Sequence, residues 1–184
     1  MTTHAAPSLR LFIALWPTPA VRAALAARRD SVGWPAGAAP VADDRLHLTL
    51  HFLGAVAVER LTDLVPALAA PWPGCTVAFG DPARWPHGLV VLPAQGPPPR
   101  LLDLHTLLAD RLAGLGLPVE QRAFRPHVTL ARRADRARLP VATAPLRWRP
   151  TDYALVRSHP TTGYHVLARY GARGITIPPS RPRQ

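Results

Sequence analysis

LHLTLHF, spanning Leu46 to Phe52, alternates apolar and polar residues without a break. A strand repeats its side-chain direction every second residue, so this alternation predicts Leu46, Leu48, Leu50 and Phe52 on one face and His47, Thr49 and His51 on the other. The first face suits a core and the second carries chemistry. Eighty positions further on, PHVTL at Pro126 to Leu130 repeats the pattern, with His127 and Thr129 in the places of His47 and Thr49. Each copy reads as a strand with a long helical pattern nearby, and duplication of a half-domain accounts for the pair economically.

Working outward, Arg10 to Trp16 reads as a strand and Pro19 to Arg29 as a helix, with Val21, Leu25 and Val32 apolar. Val58, Leu61, Leu64, Val65 and Leu68 recur at helical spacing, and Pro66 should kink or shorten that helix. Cys75 to Phe79 and Gly88 to Leu92 read as strands. Leu101, Leu104, Leu108, Leu112 and Leu115 form a helical stripe that Gly114, Gly116 and Pro118 bring to an end. His127 to Arg132, Tyr153 to Ser158 and Tyr164 to Tyr170 are three more strands, the last two joined through Pro160 and Gly163. The order implies a mixed α+β architecture in one domain over residues 1–173, followed by a Pro-rich, flexible tail from Gly174.

The chain has 184 residues, 48% of them hydrophobic, enough for one sizeable core. A single cysteine, Cys75, and the lack of a recognisable leader point to the cytoplasm. No apolar run approaches the roughly 20 residues that span a bilayer. The formal charge of +11 favours an anionic partner, although all 22 basic residues are arginine and biased composition accounts for part of this.

Two residues apart on a strand means about 7 Å apart on one face, so each His and its Thr can address one small group. Opening a cyclic phosphodiester by in-line attack needs a base for water on one side of phosphorus and an acid for the leaving oxygen on the other. Two histidines with ordinary pKa values near 6.5 meet that need near neutrality. The Thr49 and Thr129 hydroxyls can donate to the non-bridging oxygens as charge builds there.

RLFIAL at Arg10 to Leu15, LHLTLHFLG at Leu46 to Gly54 and FRPHVTLAR at Phe124 to Arg132 resemble the two-histidine phosphoesterase superfamily. The similarity is strongest to its bacterial and archaeal RNA 2′,3′-cyclic phosphodiesterase branch, also called the 2′-5′ RNA ligase or LigT-like family, and extends to about Tyr170. The resemblance implies two pseudo-symmetric lobes, each an antiparallel sheet with helices, with one HxT strand from each facing a central cleft. It implies metal-independent, cofactor-free hydrolysis of an RNA-terminal 2′,3′-cyclic phosphate to a 2′-phosphomonoester, with 2′-5′ ligation as a further outcome. RNA ends, tRNA halves among them, are the implied partners, and the protein is expected to be a monomer.

By the same resemblance His47 is the acid and His127 the base, an assignment the residues alone leave open. Arg132 matches a substrate-contacting arginine, whereas strand parity favours Arg133. Phe12, Tyr164 and Ser158 match recurrent substrate-side positions, and Phe12 or Tyr164 could stack on a base. His51 shares the predicted face of His47 and is a further candidate for touching RNA.

Zinc is the competing reading of His47 and His51, but on a strand these lie about 13 Å apart and no HExxH glutamate is present. Other readings are a non-catalytic nucleotide or RNA-binding module, and a phosphodiesterase for small cyclic nucleotides. His105 beside the leucine stripe reads as a partly buried helix residue.

Overall fold

The computed structural model describes residues 7–141 and 143–179. In chain order the elements are β1 (Ser8–Leu15), α1 (Pro19–Asp30), β2 (Ala39–Pro40), β3 (Leu48–Ala57), α2 (Leu61–Ala67), β4 (Val77–Phe79), β5 (Ala83–Trp85) and β6 (Leu89–Gln95). There follow α3 (Pro99–Gly114), β7 (His127–Arg132), β8 (Leu146–Trp148), β9 (Asp152–His159), β10 (Gly163–Gly171) and β11 (Gly174–Thr176). Short 3₁₀ turns at Asp43–Arg45 and Val58–Arg60 precede β3 and α2. No helix is long and apolar enough to cross a membrane among the described residues.

The strands form one sheet in the order β11-β10-β9-β1-β3-β7-β6-β4-β8, with β2 added on β7 and β5 on β6. The pairings are antiparallel throughout. Two strand–helix–strand units stand side by side: β1-α1-β3 and β6-α3-β7. In each, the strands on either side of the helix pair with one another. The units meet where Leu48 of β3 faces Val128 of β7.

Local chemistry explains the helix ends. Thr18 caps α1 by accepting from the Val21 amide at 3.4 Å, with Pro19 in the first turn. α3 closes on Gly116 at φ +66°, where the Leu117 amide reaches the Leu112 carbonyl at 2.9 Å and Gly116 reaches Ala113 at 2.8 Å. That pair of bonds satisfies carbonyls the helix end would leave free, and only glycine adopts this φ without strain. Leu101, Leu104, Leu108 and Leu112 are buried as the stripe predicted. α2 is shorter than the periodicity implied, since Val58–Arg60 winds as a 3₁₀ turn and Pro66 supplies no amide.

β1 is covered on both faces. Leu11, Ile13 and Leu15 join the main core with Leu25 of α1 and the leucines of α3, while Phe12, Ala14 and Trp16 cluster on the opposite face with Ala154 and Val156 of β9.

The uninterrupted alternation predicted for Leu46 to Phe52 does not hold. Thr49 faces Ala14, yet His51 already faces Ile13, so Leu50 is an extra residue in β3. β7 carries the same bulge: Thr129 faces Val91 and Ala131 faces Val90, with Leu130 extra. A bulge of this kind turns two consecutive side chains to one side and resets the faces beyond it. His51 is accordingly buried at 3% exposure and Phe52 stands out at 62%, the reverse of the expectation. Gly174–Thr176, expected in the flexible tail, instead pairs with β10 as β11, and positions 180–184 of that expected tail lie outside the described residues.

Candidate active site

Both motif histidines sit at the start of their strands and are held in the same way. His47 Nδ1 lies 2.6 Å from the Arg45 carbonyl, and His127 Nδ1 lies 2.7 Å from the Arg125 carbonyl. A carbonyl only accepts, so in each ring Nδ1 carries the proton and donates it. Nε2 is therefore the nitrogen each ring leaves for chemistry. The Leu48–Val128 pair, continued by one residue in its antiparallel sense, sets His47 against Thr129 and Thr49 against His127. All four side chains are half-buried, which suits groups at the floor of an open cleft.

Rings enclose His47 on three sides. Trp16 stacks on it at 5.5 Å between centroids and 20° between planes, Phe12 lies at 4.9 Å, and Tyr164 meets it edge-on at 5.4 Å and 84°. Burial among these rings is the main reason its pKa falls to about 4, with the nearby charges of His127 and Arg132 pushing the same way. The Arg45 carbonyl bond opposes the fall. His127 is enclosed on one side by Trp85 of β5 at 4.5 Å. Its pKa is likewise lowered, first by burial and then by Arg125 and Arg132, against its own carbonyl bond.

The Arg132 charge lowers the pKa of both rings. The bulge at Leu130 explains this: past it, Arg132 rather than Arg133 shares the side of His127, and Arg133 leaves the strand at φ +51°. The alternatives left open by strand parity are thereby separated. In the other unit Phe52 occupies the position of Arg132, exposed beyond the same bulge, with its ring 6.0 Å from Phe12.

Two expectations change. Phe12 is only 2% exposed, because β1 lies between β3 and β9, so it forms the floor under His47 and offers no open face to a base. His51 belongs to the core side, where Nε2 lies 2.9 Å from the His105 carbonyl and its ring stacks on His105 at 4.1 Å. It does not line the cleft. His105 is half-buried as expected, and stacks in turn on Phe124 at 4.0 Å. Tyr164 and Ser158 face one another across β9 and β10 on the His47 side of the sheet, and Arg45 covers one face of the Tyr164 ring at 5.7 Å.

The sequence reading missed Trp16, Trp85, Phe52 and the two arginines. Arg45 and Arg125 each stand two residues before a motif histidine, lend it a carbonyl, and lay a guanidinium over an aromatic ring, Arg125 over Trp85 at 4.3 Å. The signal was present in the sequence: the repeat is R-x-H-x-T, two residues longer than the HxT core.

Comparison with known proteins gives concordant results. The chain is 32% identical over 169 residues to the RNA 2′,3′-cyclic phosphodiesterase of Escherichia coli, covering 91% of this chain and 90% of that protein. It is 34% identical over 187 residues to the protein of the same name from Thermus thermophilus, covering 90% and 91%. The structure of E. coli LigT complexed with 3′-AMP matches with a TM-score of 0.76 at 31% identity, over 90% of this chain and 98% of that one. A T. thermophilus crystal structure matches with the same score, identity and coverage. The 2′-5′ RNA ligase superfamily model matches residues 17–161, and the chain belongs to that superfamily.

Proposed function

We propose that this protein hydrolyses the 2′,3′-cyclic phosphate at the 3′ end of RNA, leaving a 2′-phosphomonoester, by acid–base catalysis between His47 and His127. The observation that carries this is the matched pair of imidazoles, each with Nδ1 committed to a backbone carbonyl and Nε2 left for substrate. The named activity of the E. coli and T. thermophilus relatives, and the 3′-AMP bound by LigT, support the same substrate class.

In this scheme Nε2 of neutral His127 takes a proton from water, and the resulting nucleophile attacks phosphorus. The bond from phosphorus to O3′ breaks, and protonated His47 gives its Nε2 proton to O3′. Phosphorus stays on O2′. Thr49 and Thr129 donate hydrogen bonds to the non-bridging oxygens, and the Arg132 guanidinium balances their charge. The free protein disfavours imidazolium at both positions. The anionic diester reverses that bias when it binds, so the acid becomes protonated as substrate arrives. A ribose 5′-hydroxyl in place of water gives a 2′-5′ linkage through the same steps. No step requires a metal ion.

The test is a 2′,3′-cyclic phosphate-terminated oligonucleotide, with the product followed by phosphorus NMR and then treated with a 3′-specific phosphatase. The expected product resists the phosphatase. Release of phosphate would show that the sugar binds the other way round, with acid and base exchanged.

A further inference from the structure

Beyond Trp16 the site side of the sheet continues into a basic cavity. Ala154, clustered with Phe12 and Trp16, faces Arg169 across β9 and β10, which puts Arg169 on this same side. Here Arg169 pairs with Asp152 at 3.0 Å. The start of α1 brings Thr18 and Arg22, and the segment between β8 and β9 brings Arg149. Together with Trp16, Trp148, Asp152 and the neighbouring backbone they line an open cavity of about 370 Å³.

The cavity carries three guanidinium groups and one carboxylate, and Arg169 already occupies that carboxylate. Among the described residues neither Arg22 nor Arg149 forms an ion pair. Arg22 Nε is buried without a hydrogen-bond partner, and its Nη2 reaches only the Pro17 carbonyl, at 3.4 Å. Of the five N–H donors of Arg22 only this one is used among the described residues, which leaves donors of the same guanidinium for an anion in the cavity. The first turn of α1 contains no acidic residue, so the helix start adds to the positive field.

Trp16 is the wall shared with the candidate active site, since its ring stacks on His47 and also lines this cavity. A strand whose 3′ end reacts at His47 and His127 carries its next charge one nucleotide upstream. We propose that the cavity binds the phosphodiester joining the last two nucleotides of the RNA, with Arg22 and Arg149 as its ligands. The inference rests on the cyclic-phosphodiesterase reading and deepens it: the protein selects strand ends over free nucleotides.

Three substrates test it: a nucleoside 2′,3′-cyclic phosphate, a dinucleotide ending in the same group, and that dinucleotide with an uncharged methylphosphonate linkage. The wild-type kcat/KM is expected to favour the charged dinucleotide by roughly tenfold, the scale of one charge-assisted hydrogen bond. The methylphosphonate substrate and the Arg22→Met/Arg149→Met variant should each abolish that preference, and the variant should hydrolyse the nucleoside substrate at the wild-type rate. The salt dependence of kcat/KM for the dinucleotide should flatten in the variant, because its single phosphodiester is no longer neutralised. Equal wild-type kcat/KM for all three substrates would overturn the proposal and leave the activity intact, as would a parallel loss on nucleoside and dinucleotide in the variant. Failure of the wild type to cleave any of them would sink the underlying reading, and this inference with it.

Discussion

Replacing Trp16 with Ala tests whether the aromatic enclosure sets the protonation of His47. Burial holds that ring at a pKa of about 4 against an ordinary 6.5. At about 1.36 kcal/mol per pH decade, this is about 3 kcal/mol in favour of the neutral form. Trp16, Phe12 and Tyr164 all stand within 5.5 Å of His47 between ring centroids. With the enclosure shared among three rings, opening one side returns at most about 1 kcal/mol and raises the pKa by less than one. The charges of His127 and Arg132 stay in place, so recovery is partial. The assay is a titration of histidine ¹H–¹³C signals, with His47 assigned by comparison with His47→Ala. Trp16 is 8% exposed, so its truncation costs about 3–5 kcal/mol of stability, and spectra are recorded well below the melting temperature. Trp16→Leu keeps an apolar wall and should stay near the wild-type value. A folded Trp16→Ala protein whose His47 titrates at or below that value would refute the reasoning.

His47→Ala and His127→Ala should each lower turnover by about 10²–10⁴ with unchanged circular dichroism, and near-normal turnover in either would remove the paired mechanism. His47 and His105 both fold with pKa values of about 4 against 6.5, so below pH 6.5 the unfolded chain binds protons first. Stability should be full above pH 6.5 and fall as the pH drops through 4, by up to ~3 kcal/mol for the enclosed His47 and by less for the partly exposed, solvent-screened His105. Urea unfolding from pH 7 to pH 4 measures this, and His105→Phe should flatten the dependence. Arg132→Ala should raise KM and move both histidine titrations upward, whereas Arg133→Ala should do neither; the opposite ranking in kinetics and NMR would restore strand parity. Phe52→Ala should raise KM with little change in melting temperature, because the ring is exposed beside the cleft, and a loss of stability would mean that it serves packing instead. Activity should survive exhaustive EDTA treatment, and a loss restored by added zinc would require a metal in the mechanism.

The period of two around His47 and His127 was legible because both motifs begin strands whose core residues, Leu48 and Val128, lie opposite one another. The leucine stripe of α3 was equally legible, since its burial and its glycine stop are local events. These features carry the duplicated strand–helix–strand plan and the chemistry proposed for the site. The bulges at Leu50 and Leu130 were not legible, because a bulge is defined by hydrogen-bond register against β1 or β6 and no residue type announces it here. One extra residue exchanged the places of His51 and Phe52 and decided between Arg132 and Arg133. The enclosure of His47 gathers rings from positions 12, 16 and 164, and that of His127 draws on Trp85 from a three-residue strand too short to show a period. Sequence periodicity reports which way a side chain points along its own strand. Which distant side chains then surround it depends on strand order and register, and those exist only once the sheet has formed.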